Sequence, residues 1–538
     1  MFKCKRLLFI VLALMLLPLI GIHAQAATET PTPGGTLTFA FSADWGVLDP
    51  AATSVTFARN IIQFIYDPLL RKDPSTGAIV PGLAESYEVS TDGKTLTLHL
   101  RHDVTFQDGT PFNSAAVKFS FDRIADPALA SPYVATIVTP VDSLDTPDDY
   151  TVIFHFKQPN APYLDALTQS ELSPVSPTAV QKYGADFGLN PVGTGPFQFV
   201  SETPDEEVDL TRNPNYNWAP SYYSHQGPAY LENLVVKNVT DDSTRMALIQ
   251  SNDIDLVYNA LVDQLDSFRS DPSYTVGTGI RSGVPRILIY NTSRFPFDDV
   301  ATRQALAWAV DRQRMLTDVW GGIGSVPTGI LTPGMLGYWA DGKDKWPGYD
   351  LDKAASMLAA AGWKDTDGDG ILDKDGKPFA ITYGGTPGFP FDQFGQILEN
   401  DLTKLGIKVT IQNEEQAAYL ADIRAGKWEL SSMLFAATDP DVLYTIADSN
   451  SIDAAWNTAR YSNPQVDALL DQGRTTVDQD QRAQVYEQVQ QILLQDMPYV
   501  PFYQIEEPYI ISSKFKGFRT DSQGFFDFYD TYDTEASS

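Results

Sequence analysis

The segment spanning residues 83–124 restricts the fold of this 538-residue chain more than any other stretch. Residues 95–100 alternate polar and apolar side chains, which is the period of a half-buried strand. Asp92-Gly93 and Asp108-Gly109 are typical of tight turns, because glycine takes positive φ at no steric cost. Asn113 stands at the N-cap position of the apolar-patterned helix that follows. The segment therefore predicts a strand, a turn and a helix in sequence, a unit that many folds contain.

The same segment carries an ordered series of residues that is more specific than this common unit. Leu96-x-Leu-x-Leu-Arg101 is followed by Val104-x-Phe-x-Asp-Gly109 and then by Phe112-Asn-Ser-x-x-Val117. This series resembles the signature of the family 5 extracellular solute-binding proteins, the peptide-, nickel- and oligosaccharide-binding receptors of ABC importers. The resemblance implies an α/β fold of the periplasmic-binding-protein type (type II, cluster C). In that fold two lobes close like a hinge, and an accessory domain is inserted into the first lobe.

The resemblance also implies an order of segments along the chain. Alternating helix and strand patterns after residue 286 independently favour an open α/β sheet in the second lobe. One long helix is expected over residues 299–320. The expected segments are a signal peptide (1–26), a flexible leader (27–35), lobe 1 (36–78), the accessory domain (79–190), lobe 1 again (191–285), lobe 2 (286–505) and a return to lobe 1 (506–538).

The first residues have the features of a secretory signal. Lys3, Lys5 and Arg6 precede an apolar run over residues 7–20, which is too short to span a membrane comfortably, and Ala24-Gln25-Ala26 fits a cleavage site. An uncleaved anchor helix is the alternative. Cys4 is the single cysteine and precedes the apolar run, so it cannot carry a lipoprotein anchor. These features predict a periplasmic or extracellular protein without disulfides.

The charge balance argues against two classes of partner. The formal net charge is −31, and removing the three basic residues of the signal gives −34. Nucleic acid and anionic membranes would be repelled by such a chain. The acid excess favours solubility, and we expect a monomer whose partners are a small ligand and the permease subunits of an ABC transporter.

The sequence offers no constellation typical of catalysis. His99, His102, His155 and His225 lack metal-ligand spacing, and there is no Gly-x-Ser-x-Gly elbow. A glycine- and lysine-containing loop at residues 337–343 looks like a P-loop but continues with Asp344, where magnesium binding needs Ser or Thr. We therefore expect no enzymatic activity and no required cofactor. A secreted hydrolase and an adhesion module are the alternatives from other classes.

One acidic loop resembles an EF-hand-type calcium loop. Asp365, Asp367 and Asp369 occupy positions 1, 3 and 5, and Gly370 occupies position 6. Position 12 is Gly376 instead of the usual glutamate, so other carboxylates must substitute. The loop predicts a structural Ca²⁺, with a solvated turn as the alternative. The proposed ligands are Asp365, Asp367, Asp369, the Ile371 carbonyl, Asp373 and Asp375.

The resemblance also places candidate ligand contacts. Asp439-Pro440 resembles the end of the family's Asp-x-x-Asp-Pro loop, where peptide binders use an aspartate to pair with the ligand's amino terminus. The earlier aspartate is missing, since Ala436 or Ala437 stands in its place. Asp439 is therefore a candidate charge anchor, with capping as the alternative role. The other candidates are Asp44 and Trp45 in the first loop, for which packing on lobe 1 is the alternative, and Trp456, Asn457 and Tyr461.

The resemblance thus implies a periplasmic receptor that captures an oligopeptide or dipeptide by lobe closure and delivers it to a permease. The missing aspartate and the aromatic content, which includes nine Trp and twenty-five Tyr, leave an oligosaccharide receptor as the first alternative. A nickel-chelate receptor is the second alternative, although the histidines are not clustered.

Overall fold

The computed structural model describes residues 31–41, 45–53, 56–129, 134–388, 391–521 and 524–536. The predicted signal peptide and the first part of the predicted leader lie outside these ranges. All elements named below belong to one unit that begins at Thr32. The strands are β1 (Thr36–Phe41), β2 (Leu70–Lys72), β3 (Ile79–Pro81), β4 (Ala84–Val89), β5 (Thr95–Leu100), β6 (Val141–Asp148), β7 (Thr151–Phe156), β8 (Phe197–Thr203), β9 (Glu207–Arg212), β10 (Asn233–Asn238), β11 (Leu256–Tyr258), β12 (Tyr274–Ile280), β13 (Gly283–Tyr290), β14 (Asp373–Lys374), β15 (Lys377–Pro378), β16 (Ala380–Gly385), β17 (Lys408–Asn413), β18 (Leu430–Ala436), β19 (Tyr499–Tyr503), β20 (Glu506–Ser512), β21 (Phe515–Lys516), β22 (Arg519–Thr520), β23 (Phe526–Asp527) and β24 (Tyr532–Asp533). The α-helices are α1 (Thr56–Ile65), α2 (Ser114–Ala125), α3 (Val134–Val138), α4 (Tyr163–Ala166), α5 (Pro177–Tyr183), α6 (Asp242–Gln250), α7 (Leu265–Arg269), α8 (Val300–Ala307), α9 (Arg312–Trp320), α10 (Leu351–Ala360), α11 (Phe391–Lys404), α12 (Gln416–Arg424), α13 (Val442–Ala447), α14 (Pro464–Thr475) and α15 (Gln479–Asp496).

A seven-stranded sheet forms the first lobe, in the order β12-β20-β11-β1-β10-β9-β8. The central strand β1 alternates buried and less buried side chains before it ends in a fully buried run, and it pairs in parallel with β10 and β11. Strand β20 returns from the far end of the sequence to pair with β11 and β12. The lobe is therefore assembled from both ends of the described chain.

Strands β4 and β5, which lie within residues 83–124, belong to a separate four-stranded antiparallel sheet in the order β4-β5-β7-β6. Leu96, Leu98 and Leu100 of β5 are buried, as their alternation predicts. The Asn113 side chain accepts a hydrogen bond from the Ala116 N–H, which confirms it as the N-cap of α2. The apolar side chains of this sheet join the core of the first lobe.

A five-stranded sheet forms the second lobe, in the order β17-β16-β18-β13-β19. Strands β16 and β17 are parallel, whereas β13 is antiparallel to both β18 and β19. The buried apolar side chains of this lobe, which lie between Val284 and Tyr503 in the sequence, form a core of their own. The alternation of helices and strands that the sequence predicts after residue 286 is present. The boundaries proposed for the signal peptide, the lobes and the accessory domain stay predictions.

The prediction of one helix over residues 299–320 is wrong. The chain instead forms α8 and α9, with a break at residues 308–311. Asp299 accepts from the Ala301 N–H at the start of α8, and Asp311 accepts from the Arg314 N–H at the start of α9. An N-cap side chain competes with helix continuation, so a second cap inside an apolar pattern starts a second helix.

Among the residues that the structure describes, no helix combines the length and the apolar character that crossing a bilayer requires.

Candidate functional site

The two lobes are connected by two short crossings, residues 281–282 and residues 504–505, which we call the hinge. The crossings lie side by side, since the Arg281 N–H donates to the Ile505 carbonyl at 3.3 Å and the Gln504 side-chain amide donates to the Arg281 carbonyl at 3.1 Å. Gly283 has a φ of +138°, and a Cβ there would lie 2.0 Å from the Phe435 carbonyl oxygen. Only glycine fits this close approach.

A cavity of about 970 Å³ opens between the lobes next to the hinge. One wall comes from α1, α3, α4 and the segments beside them. The opposite wall comes from α12, β18, α13 and the loops around them. Charged residues occur on both walls, and apolar side chains lie between them. The lining residues are Thr53, Arg59, Ile137, Pro162, Asp165, Ala166, Gln169, Glu171, Arg281, Ser282, Leu420, Met433, Leu434, Phe435, Ala436, Ala437, Thr438, Asp439, Asp441, Val442, Thr445, Trp456 and Phe525.

Polar contacts join the two walls directly. Lys72 forms an ion pair with the buried Asp165, and the Lys72 ammonium also donates to the Thr438 carbonyl oxygen at 2.9 Å. The Thr438 hydroxyl donates to the other carboxylate oxygen of Asp165. Lys72 and Asp165 lie before the hinge in sequence, whereas Thr438 belongs to lobe 2. These three residues, which we call the interlobe bridge, hold the walls together at one side of the cavity.

The lobe 2 wall contains a buried charge cluster. Arg482 donates to both carboxylate oxygens of Asp439, at 2.7 and 2.6 Å, and only 1% of its side chain is exposed. Burial opposes ionisation of Asp439, but the charge of Arg482 overcomes this and keeps the pKa of Asp439 below its ordinary value. Burial raises the pKa of the nearby Asp441 to about 7, because Arg474 at 3.3 Å offsets it incompletely and Asp439 adds repulsion.

One edge of β18 faces the cavity. Among the described residues, β16 pairs with β18 only through Tyr383 and Leu430, so the later residues of β18 have no strand partner on this side. The Ser432 N–H and carbonyl point to this side, where both contact the Tyr419 hydroxyl at 3.3 and 2.6 Å. Backbone groups alternate along a strand, so those of Leu434 point the same way. A smaller cavity of about 270 Å³ continues along this edge.

The two candidates from the first loop differ in what the structure describes. Asp44 lies outside the described residues. Trp45 is 1% exposed, and its indole N–H donates to Glu202 in β8 at 2.7 Å. Trp45 therefore packs on its own lobe and does not line the cavity, because the polar atom of its ring is already bound in the interior.

The candidates in lobe 2 also divide into two groups. Asp439 and Trp456 line the cavity. The centroid of the Trp456 ring is 6.4 Å from that of Phe435 and 4.9 Å from the guanidinium carbon of Arg424. Asn457 and Tyr461 are 3% exposed and do not line it.

Asn457 and Tyr461 instead stabilise the loop that carries Trp456. The Asn457 amide donates to the carbonyls of Asp448 and Tyr461, at 2.9 and 2.8 Å, and its oxygen accepts from the Tyr461 N–H at 3.0 Å. The Tyr461 hydroxyl donates to Asp496 at 2.5 Å. With these polar groups occupied inside lobe 2, a structural role replaces the predicted ligand contact.

The acidic loop lies on the surface of lobe 2, between α10 and β16. Carboxylate oxygens of Asp365, Asp367 and Asp373 approach within 4.8 Å of one another. Asp365 accepts from the N–H groups of Gly368 and Gly370, and Asp369 accepts from Ile371. These are turn hydrogen bonds that form with or without a cation, and Asp369 and Asp375 stand apart from the cluster. Calcium binding stays a prediction.

Comparison with known proteins identifies the family. A sequence profile described as bacterial extracellular solute-binding proteins, family 5, middle region, matches residues 78–454, which is more than half of the chain. The chain belongs to this family. The predicted α/β fold is thereby confirmed, and the protein is a family 5 solute-binding receptor of the ABC importer type.

Individual relatives agree with this assignment. The glutathione-binding protein GsiB of Shigella flexneri serotype 5b is 27% identical over 492 residues, covering 90% of this chain and 91% of that protein. The structure of HbpA2 from Haemophilus parasuis superposes with a TM-score of 0.82 at 25% identity, covering 93% of this chain and all of that one. DppA from Helicobacter pylori, in complex with the peptide STSA, gives a TM-score of 0.71 at 27% identity and covers 93% and 98% of the two chains.

Several cavity residues carry no signal in the sequence alone. Arg59, Asp165 and Arg281 come from separate parts of the chain and belong to no motif that we recognise. Thr438 stands beside the recognised Asp439-Pro440 pair, yet its bridging role depends on Asp165, which is remote in sequence. The family resemblance therefore located one wall of the cavity and left the opposite wall unassigned.

Proposed function

We propose that this family 5 receptor captures a small peptide in the cavity between its lobes and presents it, unaltered, to the permease of an ABC importer. We further propose that the protein is secreted through its signal peptide and acts as a monomer in the periplasm. The observation that carries the peptide proposal is the edge of β18 after Leu430, which has no strand partner among the described residues and lies beside a cavity of about 970 Å³. An extended peptide forms main-chain hydrogen bonds with such an edge, whatever its side chains are.

The chemistry of the cavity supports this ligand class. Cavities of roughly 300–1,000 Å³ hold small organic ligands, and this one has charges of both signs on its walls, which suits a zwitterion. Two relatives point the same way, since GsiB is named for glutathione and DppA was solved with a tetrapeptide. None of the described histidines lines the cavity, so a nickel chelate bound through histidine is less well supported.

An oligosaccharide is the second candidate, and one observation favours it. Phe435 and Trp456 present aromatic rings on the lobe 2 wall, and Phe525 does so on the opposite side. Aromatic faces stack on sugar rings as readily as on peptide side chains. The two candidates differ in their need for backbone hydrogen bonds, because sugars have no amide groups to pair with β18.

Mass spectrometry of the molecules released by denaturing the purified full chain tests both candidates. We expect peptides; release of oligosaccharide alone would overturn the proposal. A second measurement is calorimetric titration with the tetrapeptide Ser-Thr-Ser-Ala and with an analogue whose backbone amides are N-methylated. We expect the analogue to bind at least tenfold more weakly, since each lost hydrogen bond weakens the complex. Equal affinity would show that the β18 edge is not used.

A further inference from the structure

Two arginines reach the cavity at the end nearest the hinge. Arg281 lies in the first hinge crossing and lines both the cavity and a small pocket beside it. Arg59 enters from α1 and lines the same cavity. Each belongs to a different segment, and both backbones are fixed, one by a helix and the other by the hinge hydrogen bonds at Ile505 and Gln504.

The charge of Arg281 is poorly balanced by the protein. Among the described residues, the carboxylate within 4 Å of its guanidinium is that of Glu507, and the separation of 3.8 Å exceeds a hydrogen bond. Burial raises the pKa of Glu507 to about 7, so this group is only partly ionised at neutral pH. Burial lowers the pKa of Arg281, and the like charge of Arg59 lowers it further. An anion between the two guanidinium groups would relieve both penalties.

Arg59 differs from Arg281 in its partner. It forms an ion pair with Glu171, whose side chain is 5% exposed. Glu171 therefore orients Arg59 and balances its charge. The charge of Arg281 is balanced less well, so it is more available to an anionic group of a ligand. Guanidinium groups bind carboxylates through two parallel hydrogen bonds, which makes an arginine of this kind specific for that group.

We propose that Arg281, assisted by Arg59, binds a carboxylate group of the ligand at the hinge end of the cavity. This inference rests on the proposed function and narrows its ligand class to peptides that carry a free carboxylate. Because Arg281 is part of the hinge, a carboxylate bound there contacts the segment about which the lobes rotate. Ligand charge is thus recognised at the point where the two walls meet.

The test uses a casein digest, half of it treated with acidic methanol so that every carboxyl group becomes a methyl ester. The full chain, immobilised, is offered equal amounts of both forms, and the retained peptides are quantified by mass spectrometry. We expect the wild type to retain the untreated peptides at least tenfold better than the esters. Arg281→Gln should lose this preference, whereas Arg269→Gln, on the exposed surface of α7, should keep it.

Three other results would decide against the inference. Equal retention of esters and untreated peptides by the wild type would overturn carboxylate recognition and leave peptide capture standing. A full preference in Arg281→Gln would assign the carboxylate to another residue. Retention of neither form would overturn the peptide proposal and this inference with it. The wild-type comparison does not depend on variant folding, and circular dichroism of Arg281→Gln identifies a variant that fails to fold.

Discussion

Arg482 donates two hydrogen bonds to Asp439, one to each carboxylate oxygen, at 2.7 and 2.6 Å. Asp439 was the predicted anchor for a ligand ammonium, and this geometry leaves its carboxylate already paired. We expect Asp439→Ala to lower the free energy of unfolding by about 3–5 kcal/mol, because it leaves the Arg482 charge buried without a partner. Urea denaturation at pH 7 measures the change.

The matched control for this prediction is Asp318→Ala, which removes an exposed ion pair with Arg314 on α9. We expect it to cost less than about 1 kcal/mol, because water screens the pair. Similar losses in the two variants would contradict the structural role of Asp439. If Asp439→Ala instead left the stability unchanged but weakened the binding of peptides with a free amino terminus, Asp439 would be a ligand anchor after all.

Asp441 should make the protein less stable as pH rises. Its pKa is about 7 in the folded state, against about 3.9 for an unperturbed aspartate. A carboxyl with a raised folded-state pKa is destabilising once ionised, so its penalty is absent below about pH 4 and complete above about pH 7. We expect Asp441→Asn to gain stability over the wild type at pH 8, by roughly 1.4 kcal/mol for each unit of pKa difference, and none at pH 4.

Free energies of unfolding at pH 4, 6 and 8 test this prediction. The control is Asp471→Asn on the exposed face of α14, which should shift the wild-type profile little at any pH. A constant difference between Asp441→Asn and the wild type across this range would show that Asp441 does not titrate there.

Trp45 and Trp456 should respond oppositely to substitution. Trp456→Ala removes a ring from the cavity wall, and we expect about tenfold weaker peptide binding with little loss of stability. Trp45→Phe leaves Glu202 without the indole donor, and we expect a loss of about 1–3 kcal/mol of stability with unchanged affinity. Calorimetric titration and thermal unfolding of both variants give the comparison, and the reverse pattern would return Trp45 to the binding site.

The interlobe bridge should control local opening. Thr438→Val keeps the size of the side chain but removes the hydroxyl that Asp165 accepts from. We expect about fivefold faster amide exchange in β2 and α4, corresponding to the loss of a hydrogen bond worth roughly 1 kcal/mol. Hydrogen-exchange mass spectrometry of the full chain measures it. Thr475→Val, whose hydroxyl bonds only within α14, should leave these segments unchanged; a uniform change across the chain would point to general destabilisation.

The acidic loop gives a prediction about metal. Bound Ca²⁺ stabilises the folded state by mass action, so 1 mM calcium should raise Tm and a chelator should reverse the effect. Asp365→Asn should abolish the response, whereas Asp352→Asn, on the exposed surface of α10, should retain it. An unchanged Tm together with no metal by elemental analysis would show that the loop is only a solvated turn.

Local patterns predicted the secondary structure well, for physical reasons. The alternation in β5 and the cap at Asn113 depend on neighbours within a few residues, so the sequence displays them directly. The break between α8 and α9 was missed because the apolar pattern continues through it, although Asp311 supplies the cap that starts α9.

The site was less predictable, because its contacts join residues that are remote in sequence. Nothing near Trp45 shows that its indole nitrogen reaches Glu202, and nothing near Asp439 shows that Arg482 occupies its carboxylate. The family resemblance placed Asp439 and Trp456 at the cavity, and Asn457 and Tyr461 next to them. It could not show which of these side chains turn inward, since that depends on partners such as Asp448 and Asp496.

The separate interiors of the two lobes have an evolutionary consequence. The main core of the first lobe contains none of the residues between Val284 and Tyr503 that form the core of the second. Substitutions on one side of the cavity therefore leave the packing beneath the other side intact. The ligand specificity of such a receptor can therefore change through substitutions on the surface of one lobe, while the other lobe keeps the shape that the permease recognises.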